Sequence, residues 1–127
     1  MEILNVIKLG LTIPFPYVSG NHIWKRSGRA VYLVPKAREY YNAVAYTVAS
    51  NSCDVGLSCA LKVTMLVFPP DKRKRDLTNL LKVIEDALTK AQVWQDDSLV
   101  HHLDVKKMDV DKTCPRIEIL IENIDAA

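Results

Sequence analysis

Asp71-Lys72-Arg73-Lys74-Arg75-Asp76-Leu77-Thr78-Asn79-Leu80-Leu81-Lys82 is the stretch on which the rest of the chain turns. It follows Pro69-Pro70, a pair that cannot extend a strand ladder. Four consecutive cations, Lys72 to Arg75, then run into an acid. Asp76 suits a helix N-cap, because its carboxylate can accept from the free amides of a first turn. From there Leu77, Leu80, Leu81, Ile84, Leu88 and Ala91 recur at helical spacing, so a helix is predicted from Leu77 to about Gln92. Its polar face carries Thr78, Asn79, Lys82, Glu85, Asp86 and Lys90, and beyond it lie Trp94 and the adjacent acids Asp96-Asp97.

Working outward, Leu57 to Phe68 alternates apolar and polar residues, the period of a half-buried strand. A strand over about Leu99 to Met108 follows the helix, with Leu99, His101, Leu103 and Val105 on its more apolar side. After a polar turn from Asp109 to Pro115, Ile117, Ile119 and Ile121 mark a last strand. Near the start, Asn5 to Ile13 reads as a strand that Pro14-Phe15-Pro16 stops. Lys36 to Ser50 reads as a helix with Ala37, Tyr40, Tyr41, Val44 and Val48 on one stripe. Residues 17–35, with Gly20, Asn21, Gly28 and Pro35, read as a loop. The tail after the last strand reads as short and frayed.

The element order is therefore β-α-β-α-β-β. The fold class is α+β: a mixed four-stranded sheet with two helices on one face. The last two strands are expected to pair as a hairpin. By parity, Val6, Leu66, Phe68, Met108 and Leu120 fall on the uncovered sheet face, where an apolar cluster would suit a dimer contact.

A chain of 127 residues is expected to form one domain, residues 1–127, with a core large enough to fold without staples. Cys53, Cys59 and Cys114 are odd in number and lack C-x-x-C spacing, which points to reduced thiols. No apolar run approaches the roughly 20 residues of a membrane span, and no signal peptide opens the chain. The expected location is the cytoplasm, away from membranes. A net charge of +2 is mild, so any argument for a polyanionic partner rests on where the cations cluster.

They cluster beside a predicted helix N-terminus, a place that already favours phosphate. Mutual repulsion among Lys72, Arg73, Lys74 and Arg75 gains the fold little, and a polyanion would relieve it. A solvated charge run is the plainer reading, but the placement favours nucleic acid. Loop 17–35 adds Lys25, Arg26 and Arg29 among Tyr17, Trp24 and Tyr32, a mixture that can touch phosphates and stack on bases. Phosphodiester hydrolysis commonly uses Mg²⁺ held by carboxylates. Asp76 is the first candidate ligand and Asp97 or Asp96 the second, if the returning strand brings the two loops together. Lys82, one turn beyond Thr78, can stabilise charge developing on the phosphate, or simply pair with Glu85 or Asp86. His101 and His102 have no metal-type spacing.

The blocks Arg75-Asp76-Leu77-Thr78-Asn79-Leu80-Leu81-Lys82, Asp86-Ala87-Leu88-Thr89-Lys90-Ala91 and Trp94-Gln95-Asp96-Asp97-Ser98-Leu99-Val100 together resemble the RusA family of Holliday-junction resolvases. The resemblance implies a small homodimeric endonuclease that uses Mg²⁺ (or, with Thr78 in place of an acid, a shift towards Mn²⁺) to place paired symmetric nicks in four-way DNA junctions during recombination and repair. It implies Asp76, Lys82 and Asp97 as the catalytic residues. Asp76 and Asp97 are then the metal ligands, with Asp96 beside them, and Lys72 to Arg75, Arg26 and Arg29 contact DNA. One departure stands out: the family's second motif acid falls at Thr78. The alternative reading is therefore a junction- or DNA-binding module whose catalysis is weakened or lost at that position.

Overall fold

The computed structural model describes residues 6–18, 20 and 23–124. Asn5, Asn21 and the last three residues of the tail lie outside that set. The elements are β1 (Lys8–Pro14), β2 (Trp24–Ser27), β3 (Ala30–Leu33), α1 (Pro35–Ser50), β4 (Leu61–Phe68), α2 (Leu77–Lys90), β5 (Val100–Lys107) and β6 (Arg116–Asn123), with a one-turn 3-10 helix (Asp97–Leu99) leading into β5. The predicted α+β class, both helices and the four main strands are present. The stretch read as a loop over 17–35 holds a short antiparallel hairpin, β2–β3, closed by Gly28 and Arg29. Gly28 sits at φ +61°, the left-handed conformation that a two-residue hairpin turn demands.

The main sheet has the order β1-β6-β4-β5. β4 and β5 are parallel, joined by the α2 crossover, while β6 pairs antiparallel with both β1 and β4. The expected hairpin between the last two strands therefore does not form. β6 alternates buried Ile117, Ile119 and Ile121 along a strand paired at both edges, whereas β5 is exposed along most of its length. The apolar strand takes the centre and the polar one the edge, which also blunts that edge against stray pairing. Two backbone bonds, Met108 N to Val67 O (2.8 Å) and Asp111 N to Pro69 O (2.9 Å), carry the connection past the end of β4.

β4 begins four residues later than expected, at Leu61 rather than Leu57. Leu57 instead bonds with the segment after α2: its amide donates to Val93 O and its carbonyl accepts from Gln95 N. The core lies between the sheet and the helices. Leu61, Val63, Met65 and Val67 of β4 and the three isoleucines of β6 form one buried cluster with Val44 and Val48 of α1 and Val83, Ile84 and Leu88 of α2. Each such side chain contributes roughly 1.5–3 kcal/mol on burial. Trp94 is fully buried, and its indole N–H donates to Thr89 Oγ1 at 2.6 Å.

On the opposite face, Leu66, Phe68 and Leu120 are half-buried. Arg116 lies 3.9 Å over the Phe68 ring, and the ladder places Leu66 beside Glu118 and Lys62 beside Glu122. The apolar residues predicted there are thus interleaved with charge.

Candidate active site

Asp76 has extended backbone geometry and caps α2, its Oδ1 accepting from the Thr78 amide at 2.9 Å. Its Oδ2 makes no hydrogen bond or ion pair among the described residues. Thr78 and Lys82 are exposed on the same helix. Neither carboxylate expected to neutralise Lys82 does so. Asp86 accepts from the Tyr41 hydroxyl at 2.6 Å and pairs with Lys90 at 3.7 Å, and Glu85 forms no ion pair with Lys82. The lysine is therefore exposed and unpaired by either acid. Opposite it, Gly20 N donates to Asn79 O at 3.3 Å, bringing the chain after β1 onto the first turns of α2.

The basic loop is not uniform. Arg75 forms a bidentate pair with Asp71, at 2.7 and 3.3 Å, and its guanidinium lies 5.1 Å from the centre of the Phe15 ring. Its side chain is only 14 % exposed. The Arg75 hydrogen bond, followed by the Arg73 amide, holds the Asp71 carboxyl below the usual carboxylate range. Lys72, Arg73 and Lys74 are exposed, and they carry the loop's outward charge. Arg26 and Arg29 are exposed on the β2–β3 hairpin. That hairpin rests on α2 through Lys90, whose ammonium lies 5.3 Å from the Trp24 ring centre and 4.7 Å from that of Tyr41.

Asp97 opens the 3-10 turn and Asp96 precedes it as its N-cap, accepting from the Ser98 hydroxyl. That bond draws the Asp96 carboxyl below its ordinary range. The neighbour of Asp97 on α2 is Glu85, whose carboxyl is pushed up, first by burial and then by the Asp97 charge. The sequence suggests Glu85 only as a partner for Lys82. Its spacing of three from Lys82 is the signal that it shares the site-facing side of the helix.

Asp76 and Asp97 do not meet within one chain. Strand β5 does return beside β4, but parallel to it, with Val100 opposite Leu61. A parallel return puts the loop leaving β4 and the turn entering β5 at opposite ends of the pair. Asp76 follows the last residue of β4, and Asp97 lies three residues before Val100. From Asp76 to Glu85 the helix alone advances about 13 Å, at 1.5 Å per residue. Among the described residues, no three His, Cys, Asp or Glu side chains converge on a common point. The donors are hard oxygens of the kind Mg²⁺ selects. His101 and His102 are both exposed, and a register shift in the β4–β5 ladder leaves His101 without a partner residue on β4.

Residues 14–122, from the end of β1 through the basic loop and the acid-capped α2 to β6, match the family model for endodeoxyribonuclease RusA. The chain belongs to the RusA family. It is 35% identical over 111 residues to the crossover junction endodeoxyribonuclease of Enterobacteria phage 82, covering 87% of this chain and 91% of that one. The RusA protein of Escherichia coli K12 shares the same identity over the same span. That of Shigella sonnei is 34% identical over 111 residues, again covering 87% of this chain and 91% of the relative. The RusA match takes in the basic loop, α2, Asp96 and Asp97, so every residue singled out on α2 and the turn lies inside it. No described helix is long and apolar enough to cross a membrane.

Proposed function

We propose that this chain is a divalent-metal-dependent endonuclease that resolves four-way DNA junctions by paired symmetric nicks. It acts as a homodimer in which each metal site takes Asp76 from one chain and Asp97, with Asp96, from the other. The relatives' name, crossover junction endodeoxyribonuclease, supports the substrate. The observation that carries the dimeric site is the placement of Asp76 and Asp97 at opposite ends of the β4–α2–β5 unit. Two such units packed antiparallel about a twofold axis would set each chain's capping acid against its partner's turn.

Bound there, Mg²⁺ or Mn²⁺ would polarise the scissile phosphate and acidify the attacking water. The chain's own groups do the rest. Asp76 presents Oδ2 while Oδ1 stays anchored on the Thr78 amide. Lys82, unpaired by Glu85 or Asp86, supplies a cation for the charge that builds on the phosphate oxygens. Lys72, Arg73 and Lys74, with Arg26 and Arg29 on the hairpin, hold the flanking backbone and fix its register. Two sites in one dimer would cut two symmetry-related strands.

A second reading keeps the binding and loses the chemistry. It is favoured by Thr78, which offers a hydroxyl where the family pattern has a carboxylate. A junction-cleavage assay across a metal series separates the two. Asp76→Asn and Asp97→Asn are each expected to bind junctions without cutting them. Mixing the two inactive proteins should restore single nicks, because one of the two sites in a mixed dimer then holds both native acids. No nicking in the mixture would place both acids in one chain's site. No nicking by the native protein with Mg²⁺ or Mn²⁺ would leave the binding module.

A further inference from the structure

Beside Asp76 lies a cavity of about 310 Å³, near the lower limit of about 300 Å³ for small-molecule sites. It is lined by the Pro16–Val18 segment, by the basic loop from Arg73 to Asp76, and by Asn79 and Leu80 of α2. Tyr17 borders this cavity and also a second, of about 320 Å³, on the α1 side. The ring is 63% exposed, although Tyr17 follows the buried Phe15, against whose ring it stands edge-on at 5.4 Å. Phe15 is in turn covered by the Arg75 guanidinium. An aromatic ring is thus held out from the core, edge-on against Phe15, beside a cavity that Arg73 and Lys74 also line.

Building on the junction-nuclease reading, we propose that this cavity receives an unpaired nucleobase from the branch point, stacked on Tyr17, so that the attached phosphate falls against Asp76. The chemistry suits a nucleotide at each end. The exposed Tyr17 ring takes a base face regardless of its identity. Asn79 offers an amide to a base edge, and Arg73 and Lys74 meet the phosphate. A linear duplex keeps its bases stacked, and extruding one costs a few kcal/mol; a branch point has already lost part of that stacking. The cavity therefore gives the protein a way to prefer branched DNA without reading a long sequence.

The test uses the full chain with Tyr17→Ala and Tyr17→Phe. Binding is measured on a four-way junction carrying 2-aminopurine at the branch point and on a linear duplex of the same sequence, in Ca²⁺ to hold off cutting. The native protein and Tyr17→Phe should change the 2-aminopurine fluorescence and prefer the junction. Tyr17→Ala should lose the fluorescence change and about tenfold of the junction-over-duplex preference, as removal of one stacking ring predicts, with duplex affinity unchanged. An unchanged preference and fluorescence response in Tyr17→Ala, with the native preference intact, overturns the base site alone. No junction preference in the native protein overturns the nuclease reading and the base site with it.

Discussion

The Tyr41 hydroxyl donates to Asp86 Oδ2 across 2.6 Å, tying α1 to the polar face of α2. Asp86 is thereby committed to packing, together with the Lys90 ammonium that also lies over the Tyr41 ring. Tyr41→Phe should cost about 1 kcal/mol of stability, the net worth of a typical hydrogen bond, and leave cutting intact. The bond also has a pH signature. Burial, then the Asp86 bond and charge, push the Tyr41 hydroxyl well above its ordinary value of 10.0. The folded state thus holds the proton longer than the unfolded chain does. Its contribution is full below about pH 10 and declines as pH rises beyond that. Alkaline melting curves of the native protein and Tyr41→Phe should therefore converge as pH rises above 10. A constant gap between them would show that the hydroxyl contributes nothing through its proton.

Gly20 has no room for a side chain. A Cβ there would lie 2.7 Å from the Asn79 carbonyl oxygen and 2.9 Å from Lys82 Cβ. The carbonyl is helix backbone and cannot swing away, so Gly20→Ala must lift the chain off α2 beside the proposed catalytic lysine. Cutting should fall by up to about 100-fold, the size of effect that a small misplacement of reacting groups produces. Junction binding should stay close to native. Full activity in Gly20→Ala would mean that Lys82 is positioned without this packing.

Thr78→Asp places a carboxylate one residue beyond Leu77, in the first turn of α2. An acid there also favours the positive end of the helix by about 0.3–1 kcal/mol, so the fold should tolerate it. Metal-dependent cutting should rise or stay level. A fall would show that the threonine hydroxyl is itself part of a working site.

Neutralising Lys72, Arg73 and Lys74 should weaken DNA binding and make it less sensitive to salt. The slope of log K against log salt should shrink by about 0.9 for each phosphate that is no longer engaged. Arg75→Gln should behave differently, because Arg75 is paired with Asp71 and packed on Phe15: its main effect is expected on loop order and thermal stability. Equal slope changes for all four positions would place Arg75 on the DNA as directly as the others.

Most of the frame is legible in the residues because period and punctuation agree. The apolar spacing of Leu80, Ile84 and Leu88, the Asp76 cap and the double proline before it all specify one helix. Strand neighbours are less legible. Sequence adjacency suggests a β5–β6 hairpin, but the burial pattern of Ile117, Ile119 and Ile121 needs two partners, and long-range pairing decides it. The β2–β3 hairpin is hidden because Trp24, Lys25, Arg26 and Ser27 show no alternation of buried and exposed residues; all four are exposed. The candidate acids are visible as residue types, yet their separation cannot be read from spacing. It follows from the parallel direction of β5, a property of the crossover and not of any residue in it.

The hairpin itself has a practical consequence. A ladder of four residues a side, exposed along nearly its whole length, has almost no core of its own and is marginal without outside support. Its tip places Arg29 next to Gly28, and Lys25 and Arg26 stand in its first strand. These are the bonds a trypsin-like protease seeks in a locally opening segment. The same cations that would grip phosphate make the hairpin a built-in reporter of occupancy: the free protein should be nicked there early, and the DNA-bound protein late.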